Sequence, residues 1–127
     1  MTRQDILLEN GVIASGLIES GCQVVTSYPG TPSSETLPQV VRSVKSEGLD
    51  TYVEWSTNEK VALDTAFAAS ITGKRAACCM KQVGLNVTAD SLMSAAGVPT
   101  GISPAVNNGL LVGKDRDRNL PEGKLHR

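Results

Sequence analysis

Glu59 is the residue whose type and surroundings most strongly suggest chemistry. It closes the segment Ser56-Thr-Asn-Glu59, directly ahead of an alanine-rich stretch. A carboxyl group held at the start of a helix can act in acid–base catalysis. The S-x-x-E spacing is also that of a capping box, in which the glutamate turns back to the first amide of its own helix. From this segment alone, the capping interpretation is the more ordinary one.

A second segment, Lys81-Gln-Val-Gly-Leu-Asn86, combines a cation with amide side chains. The Lys81 ammonium group could attract the carboxylate of a small acid, and Asn86 could orient it. Lys81 could equally be a solvated charge at the end of a strand, with Gly84 as the entry to a helix. Both interpretations stay open at this point.

The third segment, Tyr28-Pro-Gly-Thr-Pro-Ser-Ser34, joins a predicted strand to a predicted helix. Free amides and the dipole at a helix N-terminus can bind an anion, which makes a phosphate site conceivable. The segment lacks the lysine of a Walker loop and the three glycines of a dinucleotide loop. A plain Pro-Gly turn, with Thr31 or Ser33 as the helix cap, explains it at least as well.

The elements that would position these segments alternate between helix and strand. Helical spacing of apolar residues, β-rich runs and flanking glycines predict helices over 4–20, from about 34–36 to 48, over 57–72 and over 83–96, and strands over 22–27, 51–55 and 76–80. This order predicts an α/β fold, a parallel sheet with helices on both faces. Ligands of such sheets approach the carboxyl ends of the strands, where all three segments fall.

Composition limits the classes of function. The 127 residues are 40% hydrophobic and 20% charged, with a formal net charge of -1, as in ordinary soluble globular domains and with no electrostatic reason to expect nucleic acid. No apolar run reaches the roughly 20 residues of a membrane helix, so a cytoplasmic location is expected. The three cysteines, Cys22, Cys78 and Cys79, lack metal-binding spacing and are expected to be buried small hydrophobes.

The end of the chain has a different character. Residues 97–127 are rich in Gly, Pro, Asn and charge, so we expect a polar tail, loop-like or disordered, in which only Leu110 to Val112 could add a short strand. Residues 1–96 would form the domain. Without further strands, the strand near Ala76 to Met80 would be a poorly covered sheet edge.

The quoted segments, within residues 6–96, closely resemble the pyrimidine-binding domain of thiamine-diphosphate-dependent 2-oxoacid:ferredoxin oxidoreductases. The likeness is greatest to the alpha subunits of the indolepyruvate enzymes, and it is carried by Asn58-Glu59-x-x-Ala62, by the Tyr-Pro-x-Thr-Pro-Ser core and by Lys-x-Val-Gly-Leu-Asn. The resemblance implies that Glu59 is catalytic and binds the aminopyrimidine ring of thiamine diphosphate. It also places Gly30 and Thr31 at the cofactor, and Thr31, Lys81, Gln82 and Asn86 on the substrate side.

By this resemblance, the complete enzyme would oxidatively decarboxylate an aryl 2-oxoacid such as indolepyruvate to an acyl-coenzyme A and pass electrons to ferredoxin. Magnesium and iron–sulfur clusters would be bound outside this chain, and a separate diphosphate-binding domain or subunit would be its partner. The family pattern stops at Ala96, which suggests a truncated or frame-disrupted domain, inactive alone. The alternative is a non-catalytic α/β module that binds a small anion or another protein.

Overall fold

The computed structural model describes residues 9–31, 33–96, 100–105 and 110–115. The helices are α1 Glu9–Glu19, α2 Thr36–Glu47, α3 Glu59–Ile71, α4 Gly84–Val87 and α5 Ala89–Ala96; the strands are β1 Val24–Ser27, β2 Tyr52–Trp55, β3 Ala76–Cys79, β4 Thr100–Ala105 and β5 Leu110–Asp115. A single 3-10 turn, Ser33–Glu35, leads into α2.

The strands form one sheet in the order β2-β1-β3-β5-β4. Strands β2, β1 and β3 are parallel, with Val24 of β1 in register with Tyr52 on one side and Ala76 on the other. A helix crosses over between each consecutive pair of these strands, as parallel pairing requires. The α/β fold and its parallel sheet are therefore as the sequence predicted.

Helices cover both faces of the parallel strands. Val25 of β1 packs in one buried cluster with residues of α1 and α2, and Val24 packs against a second cluster that contains residues of α3. Successive strand residues point to opposite faces, so the two clusters lie on opposite sides of the sheet. All four residues of β3 are buried, which explains why its sequence reads as an unbroken apolar run.

The predicted helix ends are close to those observed. Gly21, Gly48 and Gly73 follow α1, α2 and α3 with positive φ angles of 77°, 63° and 91°, a region that other L residues rarely adopt. Pro38 lies in the first turn of α2, where the missing amide hydrogen costs no helical hydrogen bond. The predicted helix over 83–96 is in fact two helices, α4 and α5, separated at Thr88.

The C-terminal segment differs from the prediction. A loop-like or disordered tail was expected over 97–127, with a possible short strand at Leu110 to Val112. That strand is present within β5, residues 110–115, and it forms an antiparallel pair with β4, residues 100–105, which was not expected. β5 also pairs antiparallel with β3, from Ala76 with Gly113 to Cys79 with Leu110. The prediction of a poorly covered edge at β3 is thus wrong. The backbone groups on that side of β3 pair with β5 as a further strand. The other residues of the predicted tail lie outside the described ranges.

Within the described residues, no helix is both long enough and apolar enough to cross a membrane.

Candidate functional site

The carboxyl ends of three adjacent parallel strands bring the predicted site segments to one edge of the sheet. Two backbone hydrogen bonds extend the ladder beyond the strands: the Ser56 amide donates to the Ser27 carbonyl at 2.8 Å, and the Tyr28 amide donates to the Cys79 carbonyl at 3.3 Å. These bonds hold the start of the Tyr28 loop between the Ser56–Glu59 turn and the segment that begins at Lys81. The predicted meeting of the three segments is therefore observed.

Glu59 is the first residue of α3, and the helix is capped by Asn58. The Asn58 Oδ1 accepts a hydrogen bond from the Val61 amide at 2.9 Å. Ser56 lies outside the helix, with its amide in the extended ladder. The capping-box interpretation is therefore wrong, because the cap is two residues later than the S-x-x-E spacing requires.

The Glu59 side chain is buried with a 5% exposed fraction. No hydrogen bond or ion pair joins its carboxyl group to another described residue. Glutamate is seldom this buried unless it is paired, so a largely buried glutamate without a described partner is a candidate functional residue. Its place at the α3 N-terminus stabilises a carboxylate through the helix dipole.

Glu59 lies directly against the first residue of α4. An ideal Cβ built on the buried Gly84 would be 2.8 Å from Glu59 Cγ and 3.2 Å from Glu59 Oε1. The Gly84 amide in turn donates to the Lys81 carbonyl at 2.9 Å. The Lys81–Asn86 segment therefore contacts the Glu59 side chain through Gly84.

Lys81 packs its aliphatic part against the Tyr28 loop. A Cβ built on Gly30 would lie 2.8 to 3.0 Å from the Cδ, Cβ and Cγ atoms of Lys81. The lysine is half-buried, while Thr31, Gln82 and Asn86 are exposed. The structure thus brings Gly30 to Lys81 and leaves the other three side chains open to solvent at the same edge.

Two hydrogen bonds within the Tyr28 loop involve the backbone of Gly30. The Gly30 amide donates to Ser34 Oγ at 2.7 Å, and the buried Ser33 hydroxyl donates to the Gly30 carbonyl at 3.0 Å. An anion site in this loop would need these same groups. The internal bonds therefore give the small-anion alternative no structural support in this loop.

Two residues that sequence reasoning did not assign to the site lie beside it. The Ser27 and Ser56 hydroxyls are buried and have no hydrogen-bond partner among the described residues. Both directly precede loops at the carboxyl edge. A serine at the end of a strand or directly after it, ahead of a loop, is the sequence signal that could have indicated them, and it is weak because serine is common at such positions.

Further contacts fix α3 relative to its neighbours. Thr26 Oγ1, on β1, donates to the Ala62 carbonyl at 2.6 Å and so ties the first turn of α3 to the sheet. Lys60 Nζ donates to Ser91 Oγ at 2.8 Å and lies 3.3 Å from Asp64 Oδ2, which links α3 to α5. The helix that presents Glu59 is thus held from two sides.

The three cysteine thiols are uncharged near neutral pH, because burial raises their pKa values. Burial raises the pKa of the Cys78 thiol to about 12; a hydrogen bond with Thr26 lowers it slightly, and the nearby Glu59 charge raises it. Burial also raises the pKa of Cys79 and of Cys22. All three cysteines are buried and unpaired, as expected, and in the described ranges no group of histidine, cysteine and carboxylate side chains could hold a metal ion.

A groove of about 580 Å³ lies elsewhere, between α1 and α2, and is lined by residues such as Gly11, Ser15, Gln39 and Ser43. None of the predicted site residues lines it. Its size alone is a weaker guide to function than the buried, unpaired carboxyl group at the sheet edge.

The fold and the site define a class: an α/β domain that presents a buried carboxyl group, a lysine and a Pro-Gly loop at the carboxyl edge of parallel strands. Comparison with known proteins is more specific. The chain is 50% identical over 93 residues to indolepyruvate oxidoreductase subunit IorA of Thermococcus kodakarensis, 52% over 95 residues to that of Archaeoglobus fulgidus, and 44% over 107 residues to that of Pyrococcus horikoshii.

These matches cover 73%, 72% and 84% of this chain. They confirm the resemblance to the indolepyruvate oxidoreductase subunit that the sequence indicated. The chain spans only 14% or 15% of the length of these three relatives. No family model and no solved structure matches the chain.

Proposed function

We propose that this chain forms the pyrimidine-binding part of a thiamine-dependent 2-oxoacid oxidoreductase, with an aryl 2-oxoacid such as indolepyruvate as substrate. The observation that carries the proposal is Glu59 at the start of α3, a residue that is only 5% exposed and has no hydrogen bond or ion pair to another described residue. The relatives' name supplies the substrate, and their 44–52% identity to this chain supports carrying it over.

The residues present fit an aminopyrimidine ring. A buried carboxyl group can share a proton with a weakly basic ring nitrogen, and it gains a partner that the described part of this chain does not supply. The orphan Ser27 and Ser56 hydroxyls lie at the same edge and could also be satisfied by a polar heterocycle. The capping alternative for Glu59 has been removed by the Asn58 cap.

In this proposal, Glu59 holds the proton that the ring nitrogen shares. When bound, thiamine diphosphate supplies the nucleophilic carbon that adds to the ketone of a 2-oxoacid and accommodates its electrons after decarboxylation. Thr31 presents a hydroxyl at the open side of the edge, beside Gly30. Lys81 attracts the substrate carboxylate, and Gln82 and Asn86 orient it through their amides.

The rest of the proposed enzyme lies outside this chain. A diphosphate-binding domain or subunit with magnesium, iron–sulfur clusters and ferredoxin as electron acceptor would complete the reaction to the acyl-coenzyme A. Exposed apolar side chains near the site, Trp55, Val83 and Val87, give such a partner an apolar contact surface.

Binding of thiamine to the full chain tests the proposal. Glu59→Gln keeps the size of the side chain but removes its proton-sharing carboxyl group, so we expect ligand-observed NMR to show at least about a tenfold loss of thiamine affinity, as for a lost charge-assisted hydrogen bond. Glu54→Gln is the matched control, because Glu54 lies on β2 and accepts a hydrogen bond from Tyr52.

Equal thiamine binding by wild-type and Glu59→Gln chains would contradict the proposal, as would the absence of any thiamine signal from the wild-type chain at millimolar concentration. Circular dichroism of each variant shows whether α3 remains folded.

A further inference from the structure

Gly84 contacts Glu59 so closely that any side chain at position 84 would force the Glu59 side chain to move. A Cβ atom there would be 2.8 Å from Glu59 Cγ, whereas packed carbon atoms are about 3.5–4.0 Å apart. Backbone conformation does not require glycine here, since the described glycines with positive φ are Gly21, Gly48 and Gly73. The missing side chain is therefore the property that matters at Gly84.

The backbone at Gly84 is itself fixed. Its amide donates to the Lys81 carbonyl at 2.9 Å, and its carbonyl accepts from the Thr88 amide at 3.3 Å. The Glu59 carboxyl group, by contrast, has no hydrogen bond to any described residue. Packing against this fixed backbone is thus what limits the positions open to the glutamate side chain.

We propose that Gly84 is the positioning residue of Glu59: its bare backbone at the start of α4 sets where the glutamate carboxyl group lies. The importance of this contact for catalysis rests on the proposed function, whereas the contact itself does not. An added methyl group would drive Glu59 away from α4 without changing the chemistry of the carboxyl group.

A double-mutant cycle on the full chain tests the contact directly. We expect Gly84→Ala to lower the folding equilibrium constant about tenfold in the wild-type background, as overpacking does. In a Glu59→Ala background the three nearest atoms, Cγ, Cδ and Oε1, are gone, so the same change should have less than about a threefold effect. Urea denaturation gives both values.

Gly16→Ala is the matched control, because Gly16 lies inside α1 and a Cβ added to it would have no atom within 4 Å. It should raise the folding constant, since alanine favours helix. An equal loss from Gly84→Ala in both backgrounds would overturn the proposal. If Gly84→Ala folds only in the Glu59→Ala background, that result supports it; failure to fold in both backgrounds overturns it.

A second measurement separates positioning from packing alone. In selectively carbon-13-labelled chain, Gly84→Ala should shift the Glu59 Cγ and Cδ signals, while Gly16→Ala leaves them unchanged. Unmoved signals would overturn the positioning role even if stability falls. Equal thiamine binding by the wild-type and Glu59→Gln chains would contradict the proposed function but would leave the Gly84–Glu59 contact untouched. The two proposals therefore fail separately.

Discussion

Three neighbouring residues at the start of α3 have different roles: Ser56 follows the strand, Asn58 caps the helix and Glu59 presents a carboxyl group. Asn58 caps the helix through its bond to the Val61 amide, so the glutamate beside it is not needed for that purpose. Ser56 extends the sheet through its backbone and leaves its hydroxyl without a partner among the described residues. Each of these side chains can therefore be tested by a separate substitution.

Asn58→Ala should lower the free energy of unfolding by about 1 kcal/mol, because an amide of the first turn loses its partner. Ser56→Ala should change it by less than about 0.5 kcal/mol, or stabilise the chain, because it removes a buried hydroxyl that has no described partner. Urea denaturation of both variants checks this. The reverse order of effects would restore Ser56 as the cap.

Gly30→Ala should also destabilise the chain, by about 1–3 kcal/mol, since the new methyl group would collide with the stem of Lys81. Lys81→Ala should relieve this only in part, because the Lys81 Cβ, 2.9 Å from the added methyl carbon, remains. The measurement is again a denaturation cycle, with Gly16→Ala as the control. If Lys81→Ala restored the full stability lost in Gly30→Ala, the backbone of the loop at Gly30 would have to move away from the remaining Lys81 Cβ.

The sequence predicted which segments reach the same edge of the sheet, but not which residues come into contact there. Residue types and pattern indicated Glu59, Lys81 and Thr31, because their segments follow predicted strands. The capping residue was misassigned, since Ser56 and Asn58 are both good caps and local spacing cannot tell where the strand stops. The close approaches of Gly30 and Gly84 depend on tertiary contacts that a local pattern does not contain.

Among the elements, β3 combines complete burial with two adjacent thiols, and this makes the stability of the sheet sensitive to alkali. In the unfolded chain a cysteine has its ordinary pKa of 9.0, while burial raises the pKa of Cys78 to about 12. Between these values the unfolded chain releases protons and the folded chain does not. Ionisation therefore favours unfolding as the pH rises.

We expect the free energy of unfolding to be insensitive to these thiols below pH 9.0 and to fall from there to about pH 12. The slope should approach about 1.4 kcal/mol per pH unit for each buried thiol. Urea denaturation at a series of alkaline pH values measures it, and Cys78→Ala should make the slope shallower. An identical slope in that variant would contradict the assignment of the effect to Cys78.

Strands whose own residues form a clear apolar run were predicted well. Strands that form because a neighbouring strand offers hydrogen-bond partners were predicted poorly. Strands β1 and β3 are short buried apolar runs between turn residues, so their pattern was sufficient. Strand β4, which was not predicted, contains Gly101 and Pro104, and these are poor strand formers; β5 was expected only over Leu110 to Val112 and extends through Gly113 to Asp115. Only the open edge of β3 explains their pairing, and this is a property of the assembled sheet.

The molecule as a whole presents exposed apolar side chains around the candidate site. Val83 and Val87 on the α4 side and Met93 on α5 are 62%, 49% and 74% exposed. Scattered apolar residues are normal on a surface, but these three lie on or beside α4 and α5, the helices that follow Lys81. Under the proposed function, this group would give a partner domain an apolar contact surface.

Val83→Lys and Met93→Lys should leave the free energy of unfolding within about 0.5 kcal/mol of wild type, because both side chains are largely exposed. They should weaken binding of an apolar dye such as ANS to the full chain. Ile71→Lys, an exposed apolar position at the end of α3, is the control. Loss of stability without loss of dye binding would show that these side chains pack within the chain.

The central place of β1 has a consequence for the time course of folding. Val24 pairs with Tyr52 on one side and with Ala76 on the other, so 28 and 52 positions of chain separate the partners. Closing the longer of these loops costs more chain entropy, and pairings distant in sequence slow folding. During synthesis, a nascent chain in which β1 and β2 have left the ribosome still lacks β3 and α4, whose first residue, Gly84, contacts Glu59. The carboxyl edge is therefore the last part of the parallel sheet to be completed during synthesis.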